Sequence, residues 1–284
     1  MKKLRNKPAR DSSASRSSRP PRSYRAMIES LAKVWSIQLV EDQDAVLAFG
    51  GGLTAKELLS PFKVTVWNIC KGAGNENFTR DFRHLLAESD LFLLQEALLS
   101  SRAINTLHQE NFLAIHGTSY RRLDGLRDGV LTLAKAQLID PPKRILCTSP
   151  EPLLKTPKTS LLTNFLCANR NLSVINIHAK LLRTSRGLLA EMEHVFSYAP
   201  KSGPLLLAGD FNTFTPKLQS NLFAFLQERG LEVAIMESDK RSALASLDHV
   251  FVRDLIVQEA FVRSDILSSD HFPLTVKLSI KTRD

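Results

Sequence analysis

The chain has 284 residues, 43% of them apolar, and carries 38 Lys and Arg against 29 Asp and Glu, a net charge of +9. No apolar run approaches the roughly 20 residues that span a bilayer, and the first residues lack the apolar centre of a secretory signal, so a folded cytoplasmic protein is expected. Cys70, Cys147 and Cys167 are odd in number and widely spaced, which fits neither a disulfide framework nor a zinc site; reduced core thiols are the expectation.

The charge is concentrated at one end. Residues 1–25 hold nine Lys or Arg against the single Asp11, a net of 9 − 1 = +8, which leaves +1 for the other residues. This Ser-, Arg- and Pro-rich arm has almost nothing to bury and is expected to be disordered. It suits contact with nucleic acid or anionic lipid, or plain solubilisation. The folded body is electrically balanced, so the overall pI describes the arm.

Residues 26–60 read as an accessory segment: MIESLAKVW suggests a short helix, Gly50 to Gly52 a turn, and TAKELL a second helical stretch. Residues 61–284 change rhythm. The strand candidates are FKVTVWNI, DLFLLQE, GVLTLAK, SLLTNFLCA, LSVINIHA, PLLLAGD, LDHVFV and FPLTVKLSI. Helices are expected at NFTRDFRHLLAES, over 184–199, and at PKLQSNLFAFLQERG, where Pro216 follows the cap Thr215 and Gly230 closes the run. The segment 140–158, with five prolines in nineteen residues, reads as a surface excursion around a sheet core. The class is therefore α/β.

Many of these strands finish on polar groups. VTVWN ends at Asn68, LFLLQE at Glu96, LSVINIH at Asn176 and His178, and PLLLAGDFN at Asp210 and Asn212; Asp248 opens the LDHVF strand, and Asp270 and His271 precede the last one. Singly, each has a bland explanation as a cap or a satisfied core group. Together they would converge on one rim, as hydrolysis of a phosphoester requires. Oxygen donors suit Mg²⁺ or Mn²⁺, a carboxylate can orient water, and a histidine can stabilise growing phosphoryl charge.

The series VWN, LLQE, RDGVLTLAK, VINIHA, AGDFNT, LDHVF and SSDHFP resembles the endonuclease/exonuclease/phosphatase superfamily over most of residues 62–280. The resemblance implies a DNase I-like, four-layer α/β/β/α sandwich with 61–284 as the catalytic domain. It implies Glu96 as principal ligand of Mg²⁺ or Mn²⁺, with Asn68 and Asp270 contributing. Asp210 would activate the attacking water and Asn212 position it. His271 would contact the scissile phosphate, oriented by Asp248, and His178 would lie beside the phosphate or leaving group with Asn176 as its neighbour. Two positions depart from the pattern: Cys70 stands where abasic-site endonucleases carry a carboxylate, and His249 where many relatives have Tyr.

The implied activity is a metal-dependent phosphodiesterase acting as a nuclease on nucleic acid. A sphingomyelinase-type phospholipase or an inositol-phosphate or nucleotide phosphatase shares the chemistry, and Lys180, Arg183 and Arg186 are candidate cleft cations. A catalytically silent nucleic-acid or membrane binder is the alternative of another class.

Overall fold

The computed structural model describes residues 37–282, apart from 53, 73–76, 101–103, 105–106, 108–110, 149–155, 182–183, 240 and 242–245. The MIESLAKVW helix expectation and the arm lie outside the described residues.

Among the described residues fourteen strands run in chain order: β1 Ile37–Gln38, β2 Val46–Gly50, β3 Phe62–Asn68, β4 Leu91–Leu99, β5 Leu113–Arg122, β6 Arg127–Ala134, β7 Lys143–Leu146, β8 Thr159–Cys167, β9 Arg170–His178, β10 Leu205–Asp210, β11 Glu232–Val233, β12 Asp248–Arg253, β13 Leu255–Val262 and β14 Leu274–Ile280. Among the described residues there are three α-helices: α1 Phe78–Glu88, α2 Ser185–Phe196 and α3 Pro216–Gln227. One sheet has the order β1-β5-β6-β4-β3-β14-β13, with β2 also paired to β5; the other has β11-β12-β10-β9-β8-β7.

Three apolar clusters define four layers. Alternate residues of the central strands face opposite sides, so each of these strands needs partners on both. Val64 and Val66 of β3 meet Val174, Leu206 and Ala208 of the second sheet in the cluster between the sheets. On the outer side of the first sheet, Trp67, Phe92 and Leu94 pack with Leu85 and Leu86 of α1; Phe78 and Phe82 of α1 stack 5.4 Å from Trp67 and Phe92. On the outer side of the second sheet, Ile175, Ile177, Leu205 and Leu207 are covered by Leu188 and Met192 of α2 and Leu222 and Leu226 of α3. Thr215 caps its helix as expected and Thr184 caps α2: they accept from the N–H groups of Leu218 and Gly187, both at 3.2 Å. The outcome is the α/β/β/α sandwich.

Two connections set the position of the functional rim. β3 and β4 are parallel, joined through α1, and β9 and β10 are parallel, joined through α2. Their carboxyl ends therefore point the same way within each pair, where α/β sheets open into a crevice.

Several expectations need correction. TAKELL is not helical: Ala55 and Leu58 form isolated β-bridges to Ala136 and Cys167, and burial of Leu58 in the central cluster outweighs local helix propensity. Within 140–158, β7 is a true strand that pairs with β8, Ile145 being buried in the cluster on the outer side of the second sheet. β5 and β13 escaped the pattern because His116, Gly117 and Thr118 interrupt the apolar run of one and Gln258 and Glu259 that of the other. Cys167 is a buried thiol as expected, whereas Cys70 is exposed and Cys147 half-buried.

Candidate active site

Strand register brings the side chains together. Asp210 pairs with His178 of β9 on one side and with Asp248 of β12 on the other, a row of three functional groups across adjacent strands. In the facing sheet Asn68 ends β3 beside Gln95 of β4. Because β14 runs antiparallel to β3 and pairs Leu274 with Val66, the preceding residues Ser269 to His271 return to the same rim. Trp67 locks them there, its Nε1–H donating to the His271 carbonyl at 2.9 Å, while the Ser269 hydroxyl donates to the Asn68 carbonyl at 2.7 Å.

Asp210 is the hub. Its Oδ1 accepts the Asn212 N–H at 2.9 Å and its Oδ2 the Asn68 amide at 3.1 Å, with His178 Nε2 3.6 Å away. The turn that achieves this is tightly specified. A Cβ on Gly209 would lie 2.0 Å from the Ile177 carbonyl oxygen, so only glycine fits the close approach of β9 and β10. Asn212 is left-handed at φ 52°, a conformation asparagine tolerates, and its side chain is fixed by donating to the Ala179 carbonyl at 2.8 Å.

Burial pushes the Asp210 carboxyl up, reinforced by Asp248 and opposed by His271 and its own hydrogen bonds. Burial works against the charged form of His271, but its 2.7 Å contact from Nδ1 to Asp248 and the neighbouring carboxylates raise its pKa to about 9. His271 is thus an imidazolium at neutral pH. His178 is the opposite case: burial, then the charges of Lys158, His271 and Lys71, hold it well below its ordinary value and keep it neutral. Its Nε2 lies 3.0 Å from Lys158 Nζ.

Glu96 reaches the rim by a break in β4. The register with β6 slips between Leu94 and Ala97, and Glu96 itself has φ 51°; a bulge with a left-handed residue re-aims one side chain. Its carboxylate oxygens lie 3.7 Å from Lys71 Nζ and 3.8 Å from Lys158 Nζ. Asn176, placed by sequence beside the reacting groups, is fully buried between the sheets instead. It donates to the Leu94 and Leu131 carbonyls at 3.2 and 3.1 Å and accepts from Gln95 Nε2 at 2.7 Å. The facing sheet thereby satisfies the carbonyls that flank the bulge.

One set of metal-capable donors is drawn together among the described residues. Asp210, Asp248 and His271 each offer an atom within 4.8 Å of one another, although His271 Nδ1 is committed to Asp248. The expected ligands Glu96, Asp270 and Asn68 stand elsewhere on the rim: Asn68 donates to Asp210 Oδ2 at 3.1 Å and accepts the Cys70 N–H at 3.1 Å, and the carboxylates of Asp270 and Glu96 add to burial in raising the pKa of the Cys70 thiol. Carboxylate oxygens such as those of Glu96 and Asp270 suit a hard divalent ion, and two ammonium groups gather at Glu96.

The cations of the site are ones that sequence reasoning missed. Lys180 is buried, with its backbone N–H at Glu191, Arg186 is exposed on α2, and Arg183 is outside the described residues. Lys71 and Lys158 take that place. Asp128 and Tyr120 were also missed; a signal for Asp128 was present in its position opening the RDGVLTLAK strand, opposite the end of β4. Burial raises the Asp128 carboxyl to about 6, Lys71 opposing and Glu96 assisting.

The sequence profile of the Endonuclease/Exonuclease/phosphatase family matches residues 65–271. The chain is similar to a "UPF0294 protein" of Vibrio campbellii, 31% identical over 224 residues that cover 76% of this chain and 77% of the relative. A "UPF0294 protein" of Klebsiella pneumoniae is 33% identical over 226 residues, 76% and 82% of the two chains. Among solved structures, an endonuclease/exonuclease/phosphatase from Beutenbergia cavernae superposes with a TM-score of 0.60 at 16% identity, over 77% of this chain and 71% of that one. With the family profile spanning the whole functional rim, from Thr65 to His271, the chain belongs to the endonuclease/exonuclease/phosphatase family.

Proposed function

We propose that the protein hydrolyses phosphoesters with the aid of Mg²⁺ or Mn²⁺, and that its substrate is a phosphodiester of nucleic acid. The observation that carries this reading is the in-register row His178, Asp210 and Asp248 with His271 hydrogen-bonded to its end. Asp210 and Asn212 orient the attacking water, Asp210 by accepting from it. His271, held cationic by Asp248, donates from Nε2 to a phosphoryl oxygen as negative charge accumulates there. His178 stays neutral beside the ester with Lys158 against its ring. Glu96, Asp270 and Asn68 would hold the metal, which supplies Lewis-acid neutralisation of phosphate charge when bound.

The test is turnover of DNA, RNA and bis(p-nitrophenyl) phosphate by the purified full chain with Mg²⁺ or Mn²⁺. Asp210→Asn and His271→Ala should each cost about 10² or more in kcat, and chelator should abolish activity. Undiminished turnover in both variants would sink the assignment.

A second reading, a phospholipid substrate, is favoured by one observation. Leu181, Phe214 and Leu267, each within three residues in sequence of a rim residue described above, are 41%, 36% and 69% exposed. Vesicle hydrolysis in the same panel separates the two.

A further inference from the structure

Lys158 and His178 form a pair whose polarity is fixed by the chemistry of its two nitrogens. Lys158 Nζ lies 3.0 Å from His178 Nε2, and an ammonium has hydrogens to give and no lone pair to receive with. A proton on Nε2 would set two hydrogens against each other at that distance. Lys158 therefore donates, Nε2 accepts, and the proton of the ring is on Nδ1. Without Lys158 the preference would turn. Asp210 Oδ2 and Glu96 Oε1 lie 3.6 and 3.9 Å from Nε2, and two carboxylates favour a proton on the nitrogen that faces them.

The fold holds Lys158 in this place. β8 and β9 run antiparallel with Ser160 opposite Ile177, which brings Lys158 alongside the carboxyl end of β9, where His178 stands. The Lys158 backbone is clamped to Cys147, donating to its Sγ at 3.1 Å and accepting from its N–H at 3.0 Å. The ammonium then lies 3.8 Å from Glu96 Oε1. Glu96, Lys158 and His178 line one cavity of about 110 Å³ together with Lys71, Tyr120 and Asp128. The Lys158 side chain keeps 18% of its surface there and that of His178 only 5%, so the lysine is the more open of the two.

We propose that Lys158 is a further residue of the reaction: it holds His178 as the Nδ1–H tautomer, and its ammonium, aimed by the Nε2 lone pair, is the donor that this side of the site offers to the phosphoester. The proposal rests on the hydrolase reading above and assigns to a lysine the donor role that a histidine N–H would otherwise fill. The ammonium keeps its proton; its charge offsets the negative charge that grows on the phosphoryl group.

Imidazole proton–nitrogen correlation NMR of the full chain, in chelator at neutral pH, reads the tautomer directly. Wild type should show His178 protonated at Nδ1 and bare at Nε2; a proton on Nε2 overturns the proposal and needs no variant to fold. Lys158→Met removes the donor and keeps an unbranched side chain, and the ring proton should move to Nε2. A folded Lys158→Met that keeps its proton on Nδ1 overturns the assignment to Lys158. With Mg²⁺ or Mn²⁺ the same variant should lose about tenfold or more in kcat on whichever ester the wild type hydrolyses, and undiminished turnover overturns the share of Lys158 in the reaction. The expected tautomers in a protein that hydrolyses no ester would uphold the pairing and sink the hydrolase reading, whereas a proton on Nε2 in an active enzyme would do the reverse.

Discussion

Replacing Asp248 by Asn keeps an acceptor for His271 Nδ1 but removes the charge that makes the ring cationic. The folded pKa of His271 is about 9 against 6.5 for an unperturbed ring, a rise worth about 3 kcal/mol at 1.36 kcal/mol per pH unit. The sign follows from linkage: a raised histidine contributes fully below pH 6.5 and loses its contribution as pH climbs through 9. Metal-free wild type should therefore lose up to about 3 kcal/mol from this group between pH 6.5 and 9.5, and Asp248→Asn should lose little of it over the same range. The imidazole resonance of His271, followed by NMR in chelator, should titrate near 9 in wild type. In Asp248→Asn, where burial still opposes charge and only Asp210 and Asp270 still favour it, it should titrate clearly below the wild-type midpoint. Urea unfolding at the two ends of the range supplies the energies. A wild-type titration near 6.5, or a midpoint that Asp248→Asn moves by less than about half a unit, would refute the argument that Asp248 holds His271 charged.

Acid should act through other histidines. Burial lowers His116 to about 4 and His249 to about 3, so the stability they contribute as neutral rings is present above pH 6.5 and lost as pH falls through those values; thermal melts from pH 7 to 4 should decline, and His249→Phe should flatten part of the decline. Gly209→Ala forces a Cβ to 2.0 Å from a backbone oxygen and should cost more than about 3 kcal/mol in urea unfolding, or prevent folding. Gly203→Ala meets nothing within 4 Å at φ +92° and should cost only about 1 kcal/mol. Asn176→Val strips Gln95 and the carbonyls at the β4 bulge of a partner; a loss of about 2–4 kcal/mol is expected, together with weaker Mn²⁺ binding by calorimetry as Glu96 loses its fixed aim.

The central strands were legible because burial on both faces leaves near-continuous apolar runs such as LFLL and PLLL, and the helices because Thr184, Thr215 and Pro216 mark their starts. The rim was legible for a related reason: an apolar run that stops on Asp, Asn or His announces a strand end. What escaped was set by partners distant in sequence. Asn176 and His178 share a strand and a face and look alike in sequence; only the facing sheet shows that one fills a break in β4 and the other opens on the site. Lys158 gave no signal because its meaning lies in a ring nitrogen twenty residues away. TAKELL misled because its apolar residues serve two β-bridges, a use that helical periodicity does not distinguish.

The short pairing of Ile37 with Arg122 fixes where the basic arm is anchored. β5 ends there beside the start of β6, and Ser119 and Tyr120 just upstream wall the cavity next to Glu96. Eleven residues, 26–36, separate the arm from this anchor, at most about 40 Å of extended chain. On the proposed function, a polyanion bound by the arm would be held within that reach of the crevice, its local concentration there set by tether length rather than by bulk supply. Deleting residues 1–25 should then raise KM for long polyanionic substrates and leave a short ester such as bis(p-nitrophenyl) phosphate unaffected.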